Sequence, residues 1–283
     1  MKKTGRRSSN IEDRRGGTSS LVVGGGGLGA LVLALVVTML GGDPSIVLDQ
    51  VAQSPSQSQT SSQQTSPAED ELAEFTSIVL ADTEDTWHQI FREEIGQPYQ
   101  EPALVLFSGS VQSGCGAAQS AMGPFYCPAD QKVYIDLSFY NDLKSRHQAP
   151  GDFAQAYVVA HEVGHHVQNI LGISNQVRQL QSRASKAEAN QLSVRLELQA
   201  DCFAGVWANR ADKARDILES GDIEEALNAA SQIGDDRLQE QSRGFVVPES
   251  FTHGSSAQRV RWFRQGLATG NIEQCNTFSG GQV

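Results

Sequence analysis

A pentad of the form H-E-x-x-H is the strongest sign of chemistry in this sequence, and it occupies residues 161–165. Residues four apart in a helix lie on the same face, so His161 and His165 could both bind one metal ion. Glu162 follows the first histidine, where a carboxylate can accept a proton from water that the metal activates. Zinc hydrolases use this pattern. We therefore predict one bound Zn²⁺ ion, with Glu162 as the catalytic base.

A catalytic zinc normally has three protein ligands and one open position for water. Glu197 and Asp201 are the best source of the third ligand, because both are acids that interrupt an otherwise apolar stretch. A charge in such a stretch is costly unless it is paired or bound to metal. We predict that Glu197 is the third ligand and that Asp201 orients a metal-bound imidazole. The alternative is a solvated stripe, or pairing of the two acids with Arg195 and Arg210.

Other polar residues remain candidates for supporting roles. His253 lies in a loop flanked by Gly and Ser, and it could stabilise the oxyanion of a tetrahedral intermediate. An ordinary loop histidine is an equally good interpretation, and Arg259 could serve instead. His166 points about 100° away from His165 on a helix, so we expect it behind the site or facing solvent. Glu188, His166 and His253 are weaker candidates for the third ligand.

The spacing of apolar residues predicts the helices that position these side chains. A helix of about eighteen residues after Asp152 carries both histidines, and Gly172 ends it. A second long helix over residues 185–209 carries Glu197. Helical spacing also marks residues 69–96, with a break at Asp82. Short β-like runs are predicted at residues 103–107 and 132–137. The predicted fold class is α+β, mainly helical with one small sheet.

Composition restricts the class of partner. The chain has 283 residues, of which 39% are hydrophobic and 19% are charged, as in a globular protein. Its net charge is −11, although six basic side chains lie within residues 1–15. From Glu69 onward there are 16 basic and 29 acidic residues. Because nucleic-acid binding depends on basic patches, we predict no nucleic-acid partner and expect a peptide or protein substrate. The sequence leaves the oligomeric state open.

An uncharged stretch near the start predicts a membrane anchor. Residues 21–40 are twenty almost entirely apolar residues, enough to cross a hydrocarbon core of about 30 Å as a helix. The alternative, a cleaved signal peptide, is disfavoured because no A-x-A-like site follows. Basic residues precede the stretch, which places the N-terminus in the cytoplasm and the remainder outside. The predicted organisation is a basic cytoplasmic tail (1–20), a transmembrane anchor (21–40), a disordered Ser/Gln/Thr/Pro linker (43–68) and a globular domain (69–283).

The four cysteines agree with an exported domain. They contain no C-x-x-C pair, so a cysteine zinc site is not expected. Of the three possible pairings we favour Cys115 with Cys127 and Cys202 with Cys275. The second bridge would fasten the helix that carries Glu197 to the C-terminal segment. The alternative is four buried thiols, which does not suit an oxidising compartment.

Several segments together resemble a known family. They are H-E-V-G-H-H at 161–166, E-L-Q-A-D-C-F-A-G at 197–205, G-P-F-Y-C at 123–127 and T-H-G-S-S at 252–256. The chain from about residue 69 to its end resembles the neutral zinc metallopeptidase family of bacterial single-pass membrane proteins. The resemblance implies a zincin-like metalloprotease domain behind a transmembrane helix, with His161, His165 and Glu197 as zinc ligands and Glu162 as catalytic base. It does not imply a particular substrate.

The predicted function is that of a membrane-anchored zinc metallopeptidase. Its predicted location is a bacterial cytoplasmic membrane, with the catalytic domain on the periplasmic or cell-surface side. The alternatives are a catalytically silent zinc-binding scaffold and a membrane-tethered interaction module. The presence of Glu162 disfavours the first, and the acids Glu197 and Asp201 disfavour the second. Extended peptides often bind proteases at a sheet edge, and residues 113–136 are the expected source of that edge.

Overall fold

The computed structural model of the protein describes residues 1–16 and 65–279. The predicted anchor at 21–40 and most of the predicted linker at 43–68 lie outside these residues. Within the described ranges, no helix is both long enough and apolar enough to cross a membrane.

In the part of the chain that the structure describes, the main sheet has four strands. They are β1 (Ile11–Asp13), β2 (Ala103–Phe107), β5 (Phe125–Cys127) and β6 (Lys132–Asp136), in the spatial order β1-β2-β6-β5. The pairs β1–β2 and β2–β6 are parallel, whereas β5 is antiparallel to β6 and forms one edge. The predicted strands at 103–107 and 132–137 are thus confirmed, the second ending one residue early.

The prediction of a single sheet is wrong. The Gly-rich stretch between the two predicted strands folds into a separate antiparallel hairpin, formed by β3 (Ser110–Ser113) and β4 (Gly116–Gln119). The same stretch also supplies β5. Short alternating segments of this kind give little periodic signal, because each strand has only three or four residues.

Helices make up most of the described chain, as predicted for the α+β class. The eight α-helices of the described residues are α1 (Pro67–Ile90), α2 (Ser138–Ser145), α3 (Asp152–Ile170), α4 (Ile173–Gln181), α5 (Lys186–Arg215), α6 (Asp222–Gln232), α7 (Asp235–Arg243) and α8 (Ser256–Thr269). A π-helical turn, Phe91–Ile95, extends α1, and single 3₁₀ turns lie at Ser120–Met122, Pro248–Ser250 and Ile272–Cys275.

The predicted break at Asp82 is wrong, since α1 runs through it without interruption. Asp82 is buried, and its carboxylate accepts hydrogen bonds from Arg215 at 2.6 Å and from the indole N–H of Trp207 at 2.8 Å. An acid that is paired in this way can stay inside a helix. Ser66 caps the start of α1, where its side chain and that of Glu69 form a capping box.

Two glycines set the distance between the helices that carry the predicted site. A Cβ atom on Gly164 of α3 would lie 3.0 Å from the carbonyl oxygen of Ala200 on α5. A Cβ atom on Gly266 of α8 would lie 1.9 Å from the carbonyl oxygen of Cys202. Because glycine has no side chain, α3 and α8 both approach α5 closely. The pentad therefore faces the helix that carries Glu197.

The N-terminal residues differ from the prediction. Residues 1–15 belong to the same compact unit as the residues from 65 onward, rather than forming a tail apart from a domain that begins at 69. Their strand β1 continues the sheet, with Ile11 opposite Leu104. The physical reason is pairing: this segment supplies backbone partners to β2 and polar partners to the buried acid Glu84 on α1.

Candidate metal centre and cleft

The structure brings the three predicted zinc ligands together. His161 and His165 lie one helical turn apart on α3, and Glu197 faces them from α5. The Nε2 atom of His161 lies 3.2 Å from one carboxylate oxygen of Glu197, and the Nε2 atom of His165 lies 3.4 Å from the other. One ligand atom from each residue lies within 4.8 Å of the others.

These separations fit a tetrahedral zinc site. Zinc holds nitrogen and oxygen ligands at about 2.0–2.1 Å, which at tetrahedral angles places neighbouring donor atoms about 3.3 Å apart. The two measured separations, 3.2 and 3.4 Å, agree with that value. Two imidazoles and one carboxylate are also a ligand set that catalytic zinc uses. The residues present therefore fit one Zn²⁺ ion.

The electrostatics of this cluster favour a cation. Burial alone would lower the pKa of His161, but the carboxylates of Asp201 and Glu197 raise it to about 10. Burial opposes ionisation of Glu197 as well, yet the two histidines hold its pKa well below its usual range. Positive charge is thus strongly stabilised between these side chains. A metal ion would take the place of the protons, because ligand histidines must be neutral to bind it.

Asp201 lies on the opposite side of the His161 ring from Glu197. Its carboxylate lies 2.8 Å from Nδ1 of His161, which leaves Nε2 directed toward Glu197. Tyr157 donates its hydroxyl to the same carboxylate at 2.5 Å, and Arg259 donates two N–H groups at 2.9 Å each. Burial raises the pKa of Asp201, but Arg259 and His161 outweigh it and bring the pKa to about 2. Asp201 is therefore an anion held by three donors.

His165 is oriented by a separate residue. The Oε1 atom of Gln168 lies 2.9 Å from Nδ1 of His165. The amide nitrogen of Gln168 donates to the carbonyl oxygen of Leu196 at 2.7 Å and to Gln199 at 3.1 Å, which fixes which end of the amide faces the histidine. Both imidazoles consequently present Nε2 to the same point.

Glu162 lies beside the Nε2 atoms of the two histidines, and within the described ranges its carboxylate is unpaired. Its side chain lines the cleft and is only 7% exposed. Among the described residues its carboxylate makes no hydrogen bond and no ion pair. A nearly buried carboxylate without a partner is costly, so a function is the better explanation for its position.

The structure places His253 at the cleft, in a loop that one acid organises. One carboxylate oxygen of Asp235 accepts the backbone N–H groups of Thr252, His253 and Gly254 at 2.6–3.0 Å. The other lies 3.3 Å from Nδ1 of His253. This hydrogen bond raises the pKa of His253 above its ordinary value of 6.5. The side chain remains 53% exposed and lines the cleft.

The cleft has a volume of about 760 Å³ and runs past the ligands to the sheet edge. Besides the residues already described, its walls include Met122, Phe125, Tyr126, Phe139 and Arg178. Phe125 and Tyr126 belong to β5, the edge strand that the Gly-rich stretch supplies. The predicted source of a sheet edge, residues 113–136, therefore contains an edge strand on the wall of the cleft.

His166 is neither a ligand nor solvent-facing. It is fully buried, with Nε2 at 2.6 Å from the carbonyl oxygen of Gln100 and Nδ1 at 3.1 Å from the hydroxyl of Tyr126. A carbonyl oxygen only accepts, so Nε2 carries the proton and Tyr126 donates to Nδ1. Asn169 donates to the same hydroxyl at 3.1 Å. This network joins α3 to the edge strand.

Both predicted disulfides are confirmed. Cys115 is bonded to Cys127, which closes a short loop on the side of the cleft that β5 forms. Cys202, next to Asp201 on α5, is bonded to Cys275. The amide of Gln199 also donates to the carbonyl oxygen of Cys275 at 3.0 Å. The C-terminal segment is thus fastened to the helix that carries Glu197.

A second group of acids could by spacing hold a cation. It consists of Asp152, Asp222 and Glu225. The amino group of Met1 lies 2.5 Å from Asp152 and 3.0 Å from Asp222, so a positive charge is already paired with these acids in the structure. These acids therefore do not indicate a second metal site.

Three residues of the site were missed by the sequence predictions. Tyr157 lies four residues before His161 and Gln168 lies three residues after His165, so the same helical spacing that selected the ligands could have found both. Asp235 lies eighteen residues before His253 in another element, and nothing in the sequence joins the two. Arg259 was considered as an oxyanion donor, but its guanidinium is engaged with Asp201.

Known proteins are similar to this chain over most of its length. The model of the family described as "Putative neutral zinc metallopeptidase" matches residues 1–278. The uncharacterized protein YpfJ of Escherichia coli (strain K12) is 55% identical over 285 residues, covering 98% of this chain and 99% of that protein. The uncharacterized protein Mb2605 of Mycobacterium bovis is 46% identical over 191 residues, 64% of each chain. No solved structure matches. The chain belongs to the neutral zinc metallopeptidase family.

Proposed function

We propose that this protein is a zinc-dependent peptidase that hydrolyses peptide bonds, with His161, His165 and Glu197 as the zinc ligands. The observation that carries the proposal is the unpaired carboxylate of Glu162 beside these three residues. A purely structural zinc site has four protein ligands and no use for a free acid. Three ligands with an adjacent base are the arrangement of a hydrolase.

Each residue of the site has a defined task. Zinc, when bound, supplies Lewis-acid polarisation of a carbonyl group and a water nucleophile at neutral pH. Glu162 accepts the proton of that water and later delivers it to the leaving amine. Asp201 and Gln168 hold the two imidazoles in the tautomer that leaves Nε2 free.

His253 is the proposed donor to the developing oxyanion. It lies on the cleft wall, and its raised pKa favours the protonated form, which is the better donor. Asp235 fixes both its ring and its backbone. Arg259 has a different role, because its buried guanidinium is used to hold Asp201.

The proposed substrate is an extended peptide that lies along β5. An edge strand has unpaired N–H and C=O groups, which a peptide can match by adding one more strand. Phe125 and Tyr126 place this edge on the wall of the cleft that contains the zinc ligands. Attachment to a membrane through residues 21–40 is a separate prediction, and the proposed peptidase activity does not depend on it.

One pair of variants tests the proposal. Purified full-length protein is compared with Glu162→Gln, using zinc content by mass spectrometry and cleavage of unfolded proteins and quenched fluorescent peptides. We expect one zinc ion in both proteins and a loss of about 10²–10⁴-fold in cleavage for the variant. Glu240→Gln, an exposed acid on α7, is the matched control and should cleave normally.

The alternatives give different results. Zinc in both proteins with cleavage in neither supports the catalytically silent scaffold. A parent protein that binds no zinc contradicts the metal centre altogether and favours the interaction module.

A further inference from the structure

We infer that residues 1–16 and residues 65–279 lie on the same side of any membrane, because the N-terminal segment is an integral part of the folded unit. This inference replaces the topology that the basic N-terminal residues predict. It does not depend on the proposed peptidase activity, since it rests on contacts remote from the cleft.

The first observation is a buried acid whose side-chain hydrogen-bond partners, among the described residues, all belong to the N-terminal segment. Glu84 of α1 is completely buried. Its carboxylate accepts hydrogen bonds from Ser8 at 2.5 Å, from Asn10 at 2.8 Å and from Arg6 at 2.7 Å. An acid buried without these partners would be strongly unfavourable. The position of Glu84 in the core therefore requires the segment to be in place.

The second observation is backbone pairing. Strand β1 lies parallel to β2, and the N–H group of Leu104 donates to the carbonyl oxygen of Asn10 at 2.8 Å, while the N–H group of Arg14 donates to Leu106 at 2.8 Å. The N–H group of Ser8 donates to Ser77 on α1 at 3.1 Å. Without the segment, β2 would be left as an unprotected edge.

The third observation locates both ends of the intervening chain. Arg15 is buried, and its guanidinium donates to the carbonyl oxygen of Glu69 at 2.8 Å and to the carboxylate of Asp70 at 3.1 Å. Residues that flank the intervening chain are therefore in contact. A single crossing would separate them by a hydrocarbon core of about 30 Å. The chain between them must start and end on one side.

The disulfides indicate which side of the membrane this is. Both disulfides lie in the same unit as the N-terminal segment, and disulfides persist in oxidising compartments. The segment and the domain are then both extracytoplasmic. The family match begins at residue 1 and the YpfJ relative covers 98% of the chain, so the segment is included in what the family shares.

Cross-linking in intact cells tests the contact. In the full-length protein, Ser8→Cys is combined with Ser77→Cys, two buried residues whose backbones are hydrogen bonded. The matched control combines Ser77→Cys with Ser9→Cys, whose side chain is exposed. We expect a bridge from 8 to 77 in cells treated with an oxidant, mapped by non-reducing mass spectrometry, and no bridge from 9 to 77.

Labelling in cells tests the compartment. Single Ser9→Cys and Lys213→Cys variants place one exposed thiol in each part, and all four native cysteines are in disulfides. A membrane-impermeant maleimide applied to spheroplasts of a bacterial host should label both thiols equally. Labelling of only one thiol, or an 8–77 bridge that forms only after detergent is added, would overturn the inference.

Discussion

The two walls of the cleft are built in different ways. The metal wall, which carries the proposed zinc ligands and is formed by α3, α5 and α8, holds its polar groups in the core: Asp201 is 0% exposed and Arg259 is 3% exposed. The substrate wall, which carries the proposed substrate-binding strand and is formed by β5, residues 120–124 and the loop of His253, is open: Met122 is 68% exposed, and the side chain of His253 is 53% exposed. Polar groups on the metal wall are thus coupled to folding, whereas those on the substrate wall can change with less effect on stability.

The largest effect should follow removal of the charge at the centre of the metal wall. Asp201→Asn leaves the guanidinium of Arg259 buried without its partner, and loss of one member of a buried pair costs about 3–5 kcal/mol. His161 also loses the anion that orients it, so zinc affinity should fall by about 10–100-fold. Urea unfolding and a competitive zinc titration measure the two effects.

A surface pair provides the control for this substitution. Asp85→Asn breaks a half-exposed pair with Arg6, which should cost only about 0.2–1 kcal/mol and leave zinc affinity unchanged. Equal losses of stability and of zinc affinity in the two variants would show that the metal wall does not differ from an ordinary surface.

The next largest effects should come from removing the two disulfides, and they should differ between the two walls. Replacing Cys202 and Cys275 by alanine opens a long loop and releases α5, with an expected cost of about 4 kcal/mol and weaker zinc binding. Replacing Cys115 and Cys127 by alanine opens a shorter loop, since the two cysteines are 12 residues apart. The expected loss of stability is about 3 kcal/mol. We expect KM to rise and the zinc content to stay normal. Loss of zinc in the second variant would contradict the comparison.

The metal wall was largely predictable because its residues obey helical spacing. His161, Glu162 and His165 follow from one motif, and Glu197 with Asp201 follows from the cost of acids in an apolar stretch. These are local rules, which act within a single helix. The same rules predicted α3, α5 and the two longer strands of the main sheet.

The substrate wall and the N-terminal segment were not predictable in this way. Asp235 reaches His253 from another element, and Glu84 finds its partners in residues 6–10, far from it in sequence. Such pairings depend on the tertiary fold, which spacing along one element does not encode. The charge rule for membrane topology also considers only the flanking residues, and so it could not register that the basic side chain of Arg15 is buried against α1.

A smaller effect, confined to activity, is expected on the substrate wall. His253→Ala should lower kcat by about 10²–10³-fold, the usual loss for an oxyanion donor, with normal zinc content and little change in stability. Because the protonated form donates and its pKa is raised above 6.5, the contribution of His253 is complete at low pH and is lost as the pH rises through that raised value. In a plot of kcat against pH, the parent protein should therefore lose activity at alkaline pH, and this loss should be missing in the variant. His88→Ala, another histidine paired with an acid but outside the cleft, should leave the profile unchanged.

The smallest effect should come from the network that joins the walls. Tyr126→Phe removes the hydroxyl that donates to His166 on α3, and a hydrogen bond of this kind contributes about 1 kcal/mol to stability. Tyr140→Phe removes a similar buried bond to Thr76, away from the cleft, and should cost about the same. Only the first variant should also raise KM several-fold while kcat and zinc content stay normal, because only Tyr126 belongs to the proposed substrate strand. If both variants raise KM alike, the effect is one of general stability and β5 is not held in register by His166.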